Sequence, residues 1–171
     1  MNWEDNSKIQ QLYKVSEGIV FSECMGCSEH CCRMPEMLKE EHDFMSSKFD
    51  DKKFKKIRDT NFILGYEQCI FFNEKSGCEI YKYRPFVCRI FPMDLLEEDG
   101  EYWWCIYTTC SKCVELQEKL EPLIPKLESL ITRDIFEQYV NQDIVAKEAY
   151  GAYKNKQYRK ISKFKPSFQL I

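Results

Sequence analysis

Ten cysteines lie between Cys24 and Cys113 of this 171-residue chain, and their spacing is that of metal ligands. The first cluster holds Cys24, Cys27, Cys31 and Cys32. Cysteines three positions apart can chelate one ion from a tight turn, and Gly26 between Cys24 and Cys27 permits the backbone bend such a knuckle needs. Side chains of adjacent residues tend to diverge, so Cys31 and Cys32 would more easily serve different centres, or different irons of one cluster. Cys69, Cys78 and Cys88 form a wider second group. Cys105, Cys110 and Cys113 form a third, in which Cys110-Ser111-Lys112-Cys113 repeats the knuckle spacing. All ten are candidate metal ligands.

Disulfides are the competing use of so many thiols. The residues from Met1 to Ser7 show no basic segment leading into an apolar run, so a secretory signal is not expected and a cytoplasmic location is. Reducing cytosol disfavours stable disulfides. Inert buried thiols would not cluster in sequence, which leaves metal binding as the leading account. No apolar stretch approaches the roughly 18 residues that span a bilayer. Near-neutral overall charge singles out no partner class.

Thiolate coordination suits both zinc and iron–sulfur clusters. Four thiolates around either core leave net negative charge, and Arg33, Arg84 and Arg89 sit beside ligands where they could offset it; Arg84 and Arg89 are the predicted donors to the bound centre. Phe71, Phe72, Tyr81, Phe86, Phe91, Trp103 and Trp104 crowd the same segments and are expected to wrap it. Ten cysteines with a spread trio exceed what a zinc ribbon requires, so an iron–sulfur cluster is favoured and zinc is the alternative. His30 could replace a thiolate or face solvent, and His42 in a charged stretch is expected to be exposed. Glu29 and Asp94 carry no signal of their own.

The order Cys-x2-Cys-x3-Cys-Cys, followed by Cys78-x-Ile80-Tyr81-x2-Arg84-Pro85-x2-Cys88-Arg89-x-Phe91-Pro92, resembles the YkgJ-like cysteine-cluster family. Its members are described as zinc- or iron-chelating and are related to a flagellin lysine N-methylase. The resemblance spans about residues 20–113 and rests on Cys24, Cys27, Cys31, Cys32, Cys69, Cys78, Arg84, Pro85, Cys88, Arg89 and Pro92. The second motif is highly specific. The first has three residues before Cys31 where the family more often has two, which leaves open whether Cys31 or Cys32 is the better ligand. The resemblance implies a metal without naming it.

The elements around these residues predict an α+β fold, with an irregular cysteine-rich core, short hairpins and flanking helices. Ile9, Leu12 and Tyr13 mark an amphipathic helix over 7–15, with Asn6 as its cap. Residues 35–58 read as two helical pieces interrupted around 46–51. Hairpins are expected at 68–81, through the loop 73–77, and at 90–107, through 97–100. Beyond Cys113, apolar residues at three- and four-residue intervals predict helix, kinked at Pro122 and Pro125. A further helix starts at Thr132 and carries Ile135, Phe136, Tyr139, Val140, Ile144 and Val145. The expected division is 1–113 metal-binding, 114–153 helical and packed upon it, and 154–171 a basic tail. Its lysines and arginine could draw nucleic acid, but a solvated terminal tail is the ordinary fate of such a run.

Three functions fit. The first is a metal-binding accessory protein, carrying one or two cysteine-ligated centres for electron transfer, sensing or support of a partner enzyme. The second is a zinc-stabilised module whose helices or tail recruit a protein. The third is an enzyme, either a protein-modifying methylase of the related kind or a thiol catalyst using Cys110 and Cys113. Among only six glycines there is no dinucleotide fingerprint, P-loop or nucleophile elbow, and no stretch assignable to a methyl donor, so a non-enzymatic role is favoured.

Overall fold

The computed structural model describes residues 8–17, 35–50, 54–58, 61–65, 68–140 and 157–170. The fold is mixed α+β. It is built on two apolar clusters, a large one around a three-stranded sheet and a smaller one beside the middle cysteines.

Helix α1 (Lys8–Glu17) buries Ile9, Leu12 and Tyr13, the stripe its spacing predicts. Strand β1 (Glu36–Met37) leads into α2 (Lys39–Lys48), which buries Glu41, Phe44 and Met45. Leu38 precedes α2 and has no side-chain acceptor for the helix amides; instead Glu41 reaches back, accepting the Leu38 amide at 2.8 Å, the reciprocal half of a capping box. The second helical piece expected before residue 58 is a strand, β2 (Lys55–Arg58), paired antiparallel with β3 (Asn61–Ile63), which also pairs with β1. A β-branched residue among lysines fits an edge strand as well as a helix turn, and the pairing decides.

The first predicted hairpin is shorter than expected, β4 (Phe72–Asn73) against β5 (Gly77–Cys78). Tyr81–Tyr83 then makes a 3-10 turn, and α3 (Phe86–Ile90) follows, so Ile90 lies in a helix rather than a strand. Strands β6 (Met93–Glu98) and β7 (Glu101–Tyr107) form the second predicted hairpin. Its loop is Asp99-Gly100 with φ of 56° and 78°, the positive pair that a two-residue hairpin turn demands.

Helix α4 (Cys113–Leu120) passes through a 3-10 turn at Glu121–Leu123 into α5 (Ile124–Leu130), and Pro122 and Pro125 sit at the first turns of these segments, where a missing amide costs nothing. Thr132 caps the next helix, α6 over 133–140, its hydroxyl accepting the Ile135 amide at 3.3 Å. Ile144 and Val145 lie outside the described residues. Helices α4, α5 and α6 cover the sheet through Leu116, Leu120, Leu127, Ile135 and Phe136, with Trp104 and Leu95 opposite.

The basic segment expected as a solvated tail is instead the third strand of the main sheet. Strand β8 (Tyr158–Lys163) pairs antiparallel with β7, in the order β6-β7-β8. Lys160 pairs with Glu98 and Lys163 with Glu101 across the sheet, and the next residue, Phe164, is buried against Trp104 and Phe136. The charges that suggest a free tail are held by the acidic hairpin, and one aromatic anchors the end. No helix among the described residues is long and apolar enough to cross a membrane.

Candidate metal centre

Cys24, Cys27, Cys31 and Cys32, with Glu29, His30 and Arg33, lie outside the described residues; the other six cysteines lie on β5, α3, β7, α4 and two loops. Cys69 is buried and Cys78 half-buried in the smaller apolar cluster, with Met37, Phe44, Met45, Phe54, Leu64 and Phe71. Cys78 ends β5 in register with Phe72, and the Cys69 carbonyl accepts the Phe72 amide at 3.0 Å, so one small hairpin positions both. Cys88 is half-buried on α3. Cys110 and Cys113 share one turn, closed by the Cys113 amide on the Cys110 carbonyl at 3.0 Å, where α4 begins. Cys105 is buried in β7, in register with Asp94 and Lys160. Among the described residues, no three of His, Cys, Asp and Glu converge with metal-site geometry.

The second motif folds around its arginines. Arg84 and Arg89 are both buried, at 7% and 6% exposure. Arg89 donates from Nε to the Arg84 carbonyl at 2.8 Å and from Nη2 to the Lys82 carbonyl at 2.7 Å. Its guanidinium lies 3.9 Å from the centre of the Tyr13 ring, and that of Arg84 lies 3.8 Å from the Tyr81 ring. The fork geometry of arginine serves here to bind carbonyls and ring faces around Cys88.

Beneath α3 lies a residue that the spacing of cysteines gives no reason to notice. Glu41 is 0% exposed. Its Oε1 accepts the Tyr13 hydroxyl and the Phe86 amide, each at 2.6 Å, and its Oε2 accepts the Leu38 amide. Burial pushes its carboxyl up to about 7, against the pull of these three donors and of Arg89. Burial likewise raises the Tyr13 hydroxyl well above its usual value, Glu41 adds to this, Arg89 opposes it, and the Cys88 thiol contributes a smaller push. Burial lowers Arg89 from its ordinary value. Glu41 stands within Lys39-Glu40-Glu41-His42-Asp43, a run whose composition reads as a solvated face.

Two other readings are corrected. His42 is not simply exposed: its ring stacks on Phe62 with centroids 3.6 Å apart and lies within 3.3 Å of the Ser46 hydroxyl. Asp94, which carries no signal in sequence, accepts the hydroxyls of Tyr107 and Tyr139. The seven aromatics expected to wrap one centre do not form a single shell. Phe71 and Phe72 belong to the smaller cluster, Phe86 and Trp104 to the larger. Trp103 lies under the Lys160 ammonium and Phe91 stacks on Tyr107. Strand alternation separates Trp103 from Trp104 on β7, since neighbours in a strand face opposite ways.

The donor set fits a metal centre. Soft thiolates suit zinc or iron, and the motif that carries Cys88 also carries two buried arginines. The knuckle spacing recurs in the first and third groups. No curated protein and no solved structure matches the chain. A family model does match, over residues 23–120, more than half of the sequence and inclusive of every cysteine. By that match the chain belongs to the CxxCxxCC family, described as a "putative zinc- or iron-chelating domain".

Proposed function

We propose that this protein is a metal-binding accessory protein whose cysteines hold one or two thiolate-ligated centres, iron–sulfur in preference to zinc, in electron transfer, sensing or support of a partner enzyme. The observation that carries this reading is the family match over residues 23–120, which takes in every cysteine. Arg84 and Arg89, both buried in the same motif as Cys88, are cations of the kind that favour a thiolate-rich centre.

In this reading Cys24, Cys27, Cys31 and Cys32 would hold one centre with thiols drawn from Cys69, Cys78 and Cys88, which do not converge as a set of three by themselves. Cys110 and Cys113, with Cys105 on the preceding strand, would serve a second centre. An iron–sulfur cluster would supply one-electron exchange, whereas zinc would supply folding free energy. Phe44, Phe54 and Phe71 beside Cys69 and Cys78 would limit solvent access, which tunes and protects a cluster. A reducing cytoplasm would keep these thiols free of disulfides and available to a metal.

Anaerobic purification with iron, zinc and acid-labile sulfide analysis tests the reading. A brown protein with a visible band that bleaches on reduction supports it. A colourless protein with stoichiometric zinc would instead make it a zinc-stabilised interaction module. Cys110→Ser separates ligand from catalyst: lost metal marks a ligand, and lost turnover with metal retained marks a thiol enzyme.

A further inference from the structure

Helix α3 is five residues long and is capped by Pro85, which offers no side-chain acceptor. So short a helix has little stability of its own. Its first amide, that of Phe86, is satisfied from another element, by Glu41 of α2 across 45 residues of sequence at 2.6 Å. Its far side is tied back by Arg89, which bonds the carbonyls of Lys82 and Arg84. Tyr13 of α1 joins the two ties, since its hydroxyl bonds Glu41 and its ring face carries the Arg89 guanidinium. Cys88 lies between these fixed points, its amide on the Pro85 carbonyl at 3.0 Å. One buried carboxyl group thus joins the first amide of α3 to the Tyr13 hydroxyl and, through the Tyr13 ring, to Arg89 at the far end of the helix.

We propose that Glu41 and Tyr13 are positioning residues for the metal centre, gripping the first amide of α3 and the Arg89 guanidinium so that Cys88 is presented in a fixed orientation to the bound metal. The proposal rests on the metal-binding reading above and adds residues from α1 and α2 that are not ligands. Outer residues that orient a ligand typically change metal affinity by 10–100-fold when removed.

Anaerobic loading of the full chain with Co2+ tests it, because thiolate–cobalt absorption bands report the geometry of the centre as well as its occupancy. Tyr13→Phe retains the ring and loses the hydroxyl. It is expected to shift the cobalt bands and to speed cobalt loss to EDTA severalfold. Glu41→Ala is expected to lose cobalt about tenfold or more faster than wild type. Glu41→Gln should recover part of this, because its amide oxygen can still accept from Tyr13 and Phe86, while its amide nitrogen loses the bond from the Leu38 amide. Phe164→Ala, in the main core, should lower the melting temperature without moving the bands. If Glu41→Ala does not fold, Tyr13→Phe and Glu41→Gln carry the test. Wild-type bands together with loss rates within a factor of two in Tyr13→Phe overturn the positioning role while leaving the metal-binding reading intact. Wild-type protein that takes up no cobalt overturns both.

Discussion

Asp94 on β6 binds Tyr139 on α6, carboxylate to hydroxyl, and the same carboxylate takes the Tyr107 hydroxyl at 3.0 Å. One acid thus fastens a helix to the sheet it covers, at the margin of an apolar interface made by Phe86, Trp104, Ile135 and Phe136. Hydrogen bonds to charged groups contribute about 1.5–3 kcal/mol, and Tyr139 is 6% exposed, so Tyr139→Phe should destabilise the protein by about 2 kcal/mol in urea unfolding. Tyr107→Phe, at a half-buried position, should cost less. A Tyr139→Phe loss below about 0.5 kcal/mol would show that the carboxylate contributes little there.

Glu41 makes stability depend on pH in the opposite sense to a salt-bridged acid. Its carboxyl is raised by burial from the usual 4.5 to about 7. Between these values the folded protein holds a proton that the unfolded chain has released. The contribution is therefore complete below pH 4.5 and is lost as pH rises through about 7. One pKa unit is worth about 1.4 kcal/mol, so the loss is on the order of a few kcal/mol. The difference in unfolding free energy between wild type and Glu41→Gln, followed from pH 4.5 to 8, should fall and then level. A difference independent of pH would count against a carboxyl shifted in this way.

Arg89→Lys is not a conservative change. Lysine cannot reach the carbonyls of Lys82 and Arg84 with a planar fork, nor lay a guanidinium over Tyr13. One buried and one part-buried carbonyl lose their donor, so a destabilisation of about 2 kcal/mol is expected by thermal melting of the metal-free chain. A loss no greater than that of a surface lysine substitution would contradict the role given to the fork.

Much of the helical part was legible because its burial follows its period. Ile9, Leu12 and Tyr13 face inward as spaced, the prolines fall where α4 gives way to α5, and Thr132 caps α6. The tight loop at Asp99-Gly100 was legible within the broader turn expected at 97–100. What escaped was held by partners distant in sequence. Strand β8 has only Ile161 and flanking aromatics as apolar content, and its lysines acquire a strand role from Glu98 and Glu101 across the sheet. Glu41 looks like its charged neighbours until α1 and α3 close over it. Cysteine spacing announced metal chemistry, because a knuckle is a local device. It did not announce the partition of thiols, which depends on how the hairpin at Cys78 and the helix at Cys88 fold in space.

Strand β8 separates the two descriptions of the C-terminal segment sharply. A solvated tail predicts that Phe164→Ala is neutral. In the sheet, Phe164 is 3% exposed, stacked on Phe136 at 5.3 Å and set edge-on to Trp104 at 6.0 Å. Truncating a buried phenylalanine costs about 3–5 kcal/mol. Denaturant titration of Phe164→Ala should show a loss of that order, and ending the chain before Tyr158 should cost more, by exposing β7 as well. A neutral Phe164→Ala would return the segment to solvent.

Gly65 links backbone sterics to the placement of Cys69. It has φ of 133°, and a Cβ placed there would stand 2.1 Å from the carbonyl oxygen of Gln68, which is main chain and cannot swing aside. That carbonyl immediately precedes Cys69, whose neighbour Ile70 closes the turn with its amide on the Leu64 carbonyl at 2.7 Å. Gly65→Ala must therefore displace the loop that presents Cys69. Gly100 is the control, since at φ of 78° a methyl group added to it would meet nothing within 4 Å, and Gly100→Ala costs only the left-handed backbone, about 1–2 kcal/mol. Gly65→Ala should destabilise by more than this and should also lower metal content per chain after anaerobic loading, while Gly100→Ala retains its metal. Equal metal content in the two variants would place Cys69 outside the ligand set, because a displaced thiol that costs no metal was not holding any.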